Sequence, residues 1–199
     1  LCTSIMMQAS PESPEELWRD FMKKQNTWML VEGSMMIGLA IVLGEFVKIF
    51  SMPMGGSVTA GSMVPIFLFA YRWGGKQGII AGAVYGILDL IIGGLYSIHP
   101  VSLIFDYPVA FACLGLAGFF KKTPAGILGG VFTGIFGRFI CHTFSGVVAY
   151  ASYAPEGQSP LVYSILYNGT FLLPEFVITI ILTTLLLKFV KLPDPKKNT

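Results

Sequence analysis

Long apolar runs separated by short polar connections dominate this 199-residue chain. A membrane-spanning helix needs about 20 residues at a rise of about 1.5 Å per residue, and most of the runs reach that length. The second run is shorter and follows a glycine-rich stretch, so part of it is expected to be loop. The pattern predicts an all-α membrane protein, a compact bundle of six transmembrane helices over residues 27–50, 57–71, 77–95, 101–120, 125–150 and 161–190.

The positions of lysine and arginine predict how these helices are oriented. All thirteen basic residues except Lys48 and Arg138 lie near the two termini or in the second and fourth connections. The first, third and fifth connections contain none. Because positively charged connections stay on the cytoplasmic side of a membrane, both termini are expected to be cytoplasmic.

The two ends of the chain differ from its apolar middle. Residues 1–26 form a polar segment, and the sequence SPEE at residues 13–16 has the features of a helix start. A short amphipathic helix from Pro14 to Lys24 is therefore predicted, lying on the membrane surface. Residues 27–190 are expected to form the membrane domain, and residues 191–199 a cytoplasmic tail.

Composition agrees with a membrane protein and does not indicate a metal site. Hydrophobic residues make up 54% of the chain and charged residues only 12%, about half the charged fraction of a soluble domain. Cys2, Cys113 and Cys141 have no CxxC spacing, so they are predicted to be reduced residues, the last two packing in apolar runs. The two histidines, His99 and His142, have no thiol or carboxylate at ligand spacing, and no metal ligand is predicted.

Polar side chains inside the predicted spans collect at one depth. With the orientation above, the last three spans bring these residues to the outer third of the membrane: Asp106, Tyr107, His142, Tyr150, Tyr163, Tyr167 and Asn168. Gly146 lies between His142 and Tyr150 on the same helix face and leaves space for a flat group. A buried carboxylate requires an opposite charge, tyrosine rings bind cations, and His142 and Asn168 can donate and accept hydrogen bonds. The pattern predicts a site, open to the outside, for a small, planar, cationic ligand.

Several of these residues also allow other interpretations. Asp89, in the third span, could neutralise Arg138 in the fifth as a structural ion pair, and Asp106 could also pair with Arg138. The tyrosines could form an aromatic belt at the membrane interface. His142 and Ser145 could belong to an intramembrane enzyme, although a histidine three residues before a serine on one helix is poorly placed as its base.

The first predicted span carries two small residues, Ser34 and Gly38, four positions apart. Small residues at this spacing let two helices approach closely in a membrane. The strip is expected either to pack inside the bundle or to form a docking face for another membrane protein.

Ordered motifs along the chain identify a family resemblance. They are residues 51–73, LIFDY at 103–107, RxxxHxxSG at 138–146, YAPxG at 153–157 and YSxxxN at 163–168. Over about residues 31–188 the chain resembles the thiamine-specific substrate-binding (S) components of energy-coupling factor (ECF) transporters of Gram-positive bacteria. The resemblance implies a six-helix S component that is not an enzyme and that binds thiamine at its extracellular end.

The resemblance also implies roles for the site residues. The acidic residue at the Asp106 position meets the positively charged thiazolium ring in that family. The residues implied to flank or hydrogen-bond the ligand are Tyr107, His142, Tyr150, Tyr163 and Asn168. Some members have Glu at position 106 and Trp at position 150, so thiamine phosphates, a thiamine precursor or another vitamin stay open as ligands.

Partners follow from the same resemblance. Ser34 and Gly38 would face a transmembrane coupling subunit, and two cytoplasmic ATPase subunits would drive import. The chain itself would then use no cofactor, because ATP is hydrolysed by its partners. A location in the bacterial cell membrane is expected, and no nucleic-acid partner is expected.

Overall fold

A computed structural model describes residues 13–52 and 56–190, and helices dominate these residues. The α-helices in this part of the chain are α1 (Pro14–Phe46), α2 (Val64–Trp73), α3 (Gly75–Ile92), α4 (Pro100–Phe105), α5 (Pro108–Ala112), α6 (Pro124–Ala149) and α7 (Pro160–Phe189). Strands β1 (Lys48–Ser51) and β2 (Ser57–Thr59) form an antiparallel pair between α1 and α2. Two short 3₁₀ segments, Cys113–Phe119 and Ala151–Tyr153, follow α5 and α6.

Prolines determine where most of these helices begin. Five helices, α2 and α4 to α7, carry a proline in the first turn, where its missing N–H costs no helical hydrogen bond. Side-chain caps complete two of these starts. The hydroxyl of Thr123 accepts from Gly126 N at 3.2 Å, and Nδ1 of His99 accepts from Val101 N at 3.2 Å.

Five helical stretches are long and apolar enough to cross a membrane. Within the described residues these are Lys24–Phe46, Gly75–Ile92, Pro100–Phe119, Pro124–Ala149 and Pro160–Phe189. At most 39% of the most apolar window of each stretch is buried inside the protein. Large apolar side chains such as Ile91 and Leu173 are exposed instead, as expected for helices that contact lipid.

The predicted second span, residues 57–71, is not a continuous helix. Residues 57–59 form β2, and α2 begins only at Val64. With ten residues, α2 is about 15 Å long, half the thickness of the hydrocarbon core of a bilayer. Most of its residues are buried in the bundle, so its apolar composition is explained by core packing.

The predicted surface helix over residues 14–24 is not a separate element. Residues 14–24 are the beginning of α1, which is 33 residues long and ends at Phe46. No proline or glycine occurs between residues 15 and 32, so nothing in the sequence ends the helix before the membrane segment. The predicted first span also ends earlier than residue 50, because β1 begins at Lys48. The predictions for residues 1–12 and for the tail at 191–199 lie outside the described residues.

The core lies where α2, α3 and α6 pack around the 3₁₀ segment Cys113–Phe119. Phe67, Tyr85, Leu114 and Val131 are almost completely buried there. Gly86 allows α3 to approach the chain between α4 and α5, because a Cβ atom at this position would lie 2.7 Å from the carbonyl carbon of Tyr107. This close contact holds the α4–α5 connection against α3.

Candidate functional site

The break between α4 and α5 places two of the predicted site residues. Asp106 and Tyr107 occupy a turn inside the stretch 101–120, which was expected to be one continuous helix. Pro108 supplies no N–H and disfavours the helical conformation of the residue before it. Tyr107 accordingly has φ −115° and ψ −90°.

Asp106 and Tyr107 line a cavity of about 120 Å³, here called the site cavity. All seven predicted site residues line it: Asp106, Tyr107, His142, Gly146, Tyr150, Tyr163 and Asn168. Asp89, Arg138 and Gly56 also reach it, together with the rings of Tyr96, Phe111, Tyr167 and Phe171. Charged and hydrogen-bonding groups are thus enclosed by aromatic side chains.

Asp106 is bound by three side chains. Its Oδ2 accepts hydrogen bonds from the hydroxyls of Ser102 and Ser145, each at 2.7 Å. Its Oδ1 lies 3.0 Å from Nδ1 of His142. The carboxylate is therefore fixed in position by partners on α4 and α6.

The hydrogen bond from Arg138 determines the protonation state of His142. Nε of Arg138 donates to Nε2 of His142 at 3.0 Å. Because a guanidinium nitrogen can only donate, Nε2 is the acceptor and the proton of the neutral ring is on Nδ1. That proton points to Asp106. The three residues thus form a relay in which a neutral imidazole joins a cation to an anion.

Arg138 does not make either of the ion pairs considered from sequence. In the described part of the chain it forms no ion pair with Asp89 or with Asp106. Its guanidinium carbon lies 4.3 Å from the centre of the Phe111 ring, and Nη1 contacts Sδ of Met63 at 3.1 Å. A cation–π contact and a neutral histidine therefore stabilise this partly buried cation.

Ser145 is not placed as a nucleophile. Its hydroxyl is fully buried and donates to Asp106, so it is not hydrogen-bonded to His142. The interpretation as an intramembrane enzyme thus finds no support in the geometry. Sequence analysis missed Ser102 altogether, although its position four residues before Asp106 on a helix was a usable signal.

Gly146 has a packing role that the sequence did not indicate. A Cβ atom there would overlap the Ser164 hydroxyl and lie 3.0 Å from Ser164 Cβ. The space expected beside Gly146 is therefore occupied by α7. Ser164 in turn accepts a hydrogen bond from Nδ2 of Asn168 at 3.2 Å, and its backbone carbonyl accepts another at 2.9 Å.

The aromatic wall is held by hydrogen bonds at its edges. The hydroxyls of Tyr150 and Ser102 lie 3.2 Å apart, and the hydroxyl of Tyr107 donates to the carbonyl of Gly94 at 3.1 Å. On α7 the rings of Tyr163 and Tyr167 have centres 6.0 Å apart. These four tyrosines therefore line the site cavity, whereas Tyr153 does not line it and is exposed, as an aromatic-belt residue would be.

A second polar space of about 90 Å³, here called the side chamber, adjoins the site cavity. Asp89 and Arg138 line both spaces. Glu175 lines the side chamber and is almost completely buried. Its Oε1 accepts from the backbone N–H and the hydroxyl of Thr59, and its Oε2 has no hydrogen-bond partner among the described residues. Sequence analysis gave Glu175 no role.

Comparison with known proteins gives consistent matches. Residues 30–193 match the family model described as thiamine transporter protein (Thia_YuaJ). The thiamine transporter ThiT of Bacillus subtilis (strain 168) is 38% identical over 171 residues, which cover 79% of this chain and 88% of that protein. ThiT of Lacticaseibacillus paracasei is 36% identical over 141 residues, which cover 63% of this chain and 70% of that protein. The solved structure of ThiT from Listeria monocytogenes has a TM-score of 0.74 at 25% identity, covering 83% of this chain and 96% of that chain.

These matches extend across the residues described above. The family model includes every residue that lines the site cavity, from Gly56 to Phe171. It also includes the five apolar stretches except the first few residues of Lys24–Phe46. The chain therefore belongs to the thiamine transporter family of multi-pass bacterial membrane proteins, whose members are transporters and not enzymes.

Proposed function

We propose that this chain is the thiamine-binding S component of an ECF-type importer and that thiamine occupies the site cavity. One observation carries the proposal. The residues predicted to bind a flat cation line a single aromatic cavity whose ionisable groups sum to a negative charge. Two carboxylates, Asp89 and Asp106, face one cation, Arg138, while His142 is neutral. Thiamine, with one positive ring, matches the remaining single negative charge.

The shape and polarity of the cavity suit the rest of the ligand. Thiamine consists of an aminopyrimidine ring and a thiazolium ring, both flat, and tyrosine faces stack on such rings. The amide nitrogen of Asn168 is used by Ser164, so its amide oxygen is available to accept from the ligand's amino group. Tyr163 borders the same part of the cavity and can hydrogen-bond the ligand.

Orientation and energy supply belong to the same proposal. Both termini are cytoplasmic. The β1–β2 pair and the short helix α2 together complete the second of six membrane crossings. With this orientation the site cavity opens to the extracellular side. This arrangement is supported by the basic residues, which cluster at the termini and in the α2–α3 and α5–α6 connections. A transmembrane coupling subunit and two ATPases supply the energy for import.

Thiamine titration of the purified protein tests this function. Tyrosines surround the site cavity, so the intrinsic fluorescence should change saturably when thiamine is added. Calorimetry should give the same dissociation constant. Thiamine phosphates, the pyrimidine precursor and other vitamins form the comparison panel, and each should bind more weakly than thiamine. Tighter binding of another vitamin, or no saturable binding of thiamine, would contradict the proposal.

The first variant to measure is Asp106→Asn. It keeps the shape of the side chain but removes the carboxylate that accepts from Ser102, Ser145 and His142. The imidazole then loses the group that orients it, and the affinity for thiamine should fall at least tenfold, since hydrogen bonds to a charged group contribute about 1.5–3 kcal/mol. An unchanged dissociation constant would mean that the relay has no part in binding.

A further inference from the structure

Three lysines from two different connections lie close together at one end of the bundle. A Cβ atom at Gly75 would lie 2.6 Å from Cζ of Phe119, so the start of α3 packs directly against the end of the second 3₁₀-flanked stretch of chain before α6. Lys76 follows the first of these contact residues, and Lys121 and Lys122 follow the second. All three lysines are exposed. They are here called the basic patch.

The basic patch is not neutralised by the residues that the structure describes. Neither residues 72–76 nor residues 119–123 include an acidic side chain, and none of the three lysines forms an ion pair in the described part of the chain. Arg72 differs from them, because its Nε lies 3.2 Å from Oε2 of Glu32. Three positive charges are therefore open to a partner outside the chain.

The position of the basic patch matches the level of lipid headgroups. The apolar stretch Pro100–Phe119 ends two residues before Lys121, and the stretch Gly75–Ile92 begins one residue before Lys76. The ring of Phe119 is exposed next to the lysines. Aromatic rings at the edge of the hydrocarbon layer, with ammonium groups just outside it, are typical of a membrane interface.

An exposed apolar strip on α3, here called the α3 strip, continues from the basic patch into the membrane. Ile80, Val84, Ile87 and Ile91 are exposed, and their spacing of three or four residues places them on one face of the helix. Lys76 lies four residues before Ile80, so it begins the same face. An acyl chain that lies along the α3 strip would therefore have its headgroup at the basic patch.

We propose that the basic patch and the α3 strip together bind an anionic phospholipid. The phosphodiester lies among the three lysines, and one acyl chain lies along α3. Each ammonium group near an anionic membrane surface strengthens binding roughly fivefold, so lipids that carry a net negative charge are selected over zwitterionic ones. The inference does not depend on the ligand of the site cavity, because none of these residues lines that cavity.

Native mass spectrometry of the full chain in detergent tests this selection. Apparent dissociation constants are measured for phosphatidylglycerol and for phosphatidylcholine with identical acyl chains, since these lipids differ in net charge. The unmodified protein should bind phosphatidylglycerol at least tenfold more tightly. Lys121→Gln combined with Lys122→Gln should abolish this preference and leave the constant for phosphatidylcholine within twofold. Equal constants for the two lipids in the unmodified protein would overturn the inference.

Two single variants separate a local site from a general effect of charge. Lys76→Gln removes one charge from the basic patch and should lower the preference for phosphatidylglycerol at least threefold. Lys188→Gln removes one charge from another exposed lysine, at the end of α7 and outside both connections, and should leave the preference within twofold. Equal losses in the two variants would show that net charge alone attracts the lipid, which would overturn a site at the basic patch.

Soluble anions distinguish a lipid from a free phosphate. Inorganic phosphate and glycerol phosphate are anionic but have no acyl chain, so neither should displace phosphatidylglycerol at equal concentration. Displacement by either anion would assign the basic patch to a soluble phosphate and would overturn the lipid assignment. Because the three lysines are exposed, all variants should unfold at the same temperature when no lipid is added, and a change in lipid binding then reports the site itself.

Discussion

His142 connects a cation to an anion without a charge of its own. Because Arg138 donates to Nε2, the ring can only donate through Nδ1. Contacts with Arg138 on α6 and with Asp106, directly after α4, fix the plane of the ring. The direct donors to Asp106, which are Ser102, Ser145 and this imidazole, are all neutral, so none of them cancels the charge of the carboxylate. The relay thus gives the cavity a rigid polar edge before any ligand arrives.

Residue spacing predicted which side chains meet but not how they pair. Rise per residue fixes depth in a helix, and the residues grouped by depth all line one cavity: Asp106, Tyr107, His142, Tyr150, Tyr163, Tyr167 and Asn168. Pairing depends on side-chain direction and on the break at Tyr107, which moves Asp106 toward α6. Spacing contains neither. The Arg138–Asp89 ion pair that the sequence allowed is therefore not formed among the described residues, and the Ser102 contact was not foreseen.

Gly146→Ala should lower the stability of the protein. The added methyl group would overlap the Ser164 hydroxyl, which also hydrogen-bonds the Thr143 carbonyl at 3.1 Å. Overpacking of this kind lowers the free energy of unfolding by about 1–3 kcal/mol. Thermal unfolding in detergent, followed by fluorescence, should therefore show a lower midpoint for the variant, and thiamine affinity should fall because α6 and α7 are displaced.

Gly169→Ala is the matched control for that variant. Gly169 is also a helical glycine, on α7, but a Cβ atom there would meet nothing within 4 Å. Alanine is favoured over glycine in a helix by about 0.5–1 kcal/mol, so this variant should unfold at the same or a higher temperature. Equal midpoints for the two variants would show that the contact with Ser164 is not tight.

At the scale of elements, the apolar pattern predicted the long helices and failed at the short ones. Helices α6 and α7 lie close to their predicted ranges, because prolines at their starts and long lipid-facing runs determine them. Helix α2 and strand β2 lie in a run that is apolar for another reason, since they are buried by their neighbours. Periodicity alone does not distinguish burial in lipid from burial in protein.

A buried contact between Thr59 and Glu175 connects the β1–β2 pair to the bundle. Thr59, at the end of β2, donates to Glu175 on α7 through both its backbone N–H and its hydroxyl, the latter at 2.7 Å. The same hydroxyl lies 2.9 Å from the hydroxyl of Ser62. This connection holds Gly56, the residue before β2, beside the site cavity.

Thr59→Val should loosen the β1–β2 pair. Valine has nearly the same shape, but its side chain cannot donate to Glu175. Oε1 of Glu175 then keeps only the backbone N–H of residue 59 as a donor, and Oε2 already has no partner in the described part of the chain. Removing a donor from a buried acceptor lowers the free energy of unfolding by about 1–3 kcal/mol. Thermal unfolding should show a lower midpoint, and hydrogen exchange should become faster at residues 48–51 and 57–59.

Thr133→Val provides the comparison for the Thr59 variant. The Thr133 hydroxyl donates only to the carbonyl of Gly129 in its own helix, at 2.8 Å. That carbonyl keeps its position in the backbone ladder of α6 when the hydroxyl is removed. The midpoint should then change by less than half as much as for Thr59→Val. A larger loss with Thr133→Val would show that the Thr59–Glu175 contact does not stabilise the protein.

At the scale of the whole molecule, α1 is the helix with the most open surface. Only 17% of its membrane window is buried. Val31, Ser34, Met35, Gly38 and Val42 are exposed along one side, here called the α1 face. The Ser34 hydroxyl donates to the Leu30 carbonyl at 2.8 Å, and a Cβ atom at Gly38 would meet nothing within 4 Å. The alternative in which these small residues pack inside the bundle is therefore wrong.

Gly38→Leu should separate ligand binding from transport. A leucine would project from the α1 face without touching the rest of the chain, so the thiamine dissociation constant should stay within twofold of the original. If the coupling subunit packs closely against this face, the larger side chain blocks the approach of its helices. Thiamine uptake into proteoliposomes that contain the partner subunits and ATP should then fall at least tenfold, together with co-purification of those subunits.

Gly169→Leu distinguishes a docking effect from a general effect of a larger side chain. Gly169 has equally open surroundings on α7, far along the chain from the α1 face, so its variant should bind and transport thiamine normally. Uptake that is lost in both variants would point to a change in the bundle itself. Uptake that persists in Gly38→Leu, with the partner subunits still co-purifying, would place the coupling interface on another surface, because a leucine cannot be accommodated where two helix backbones are in contact.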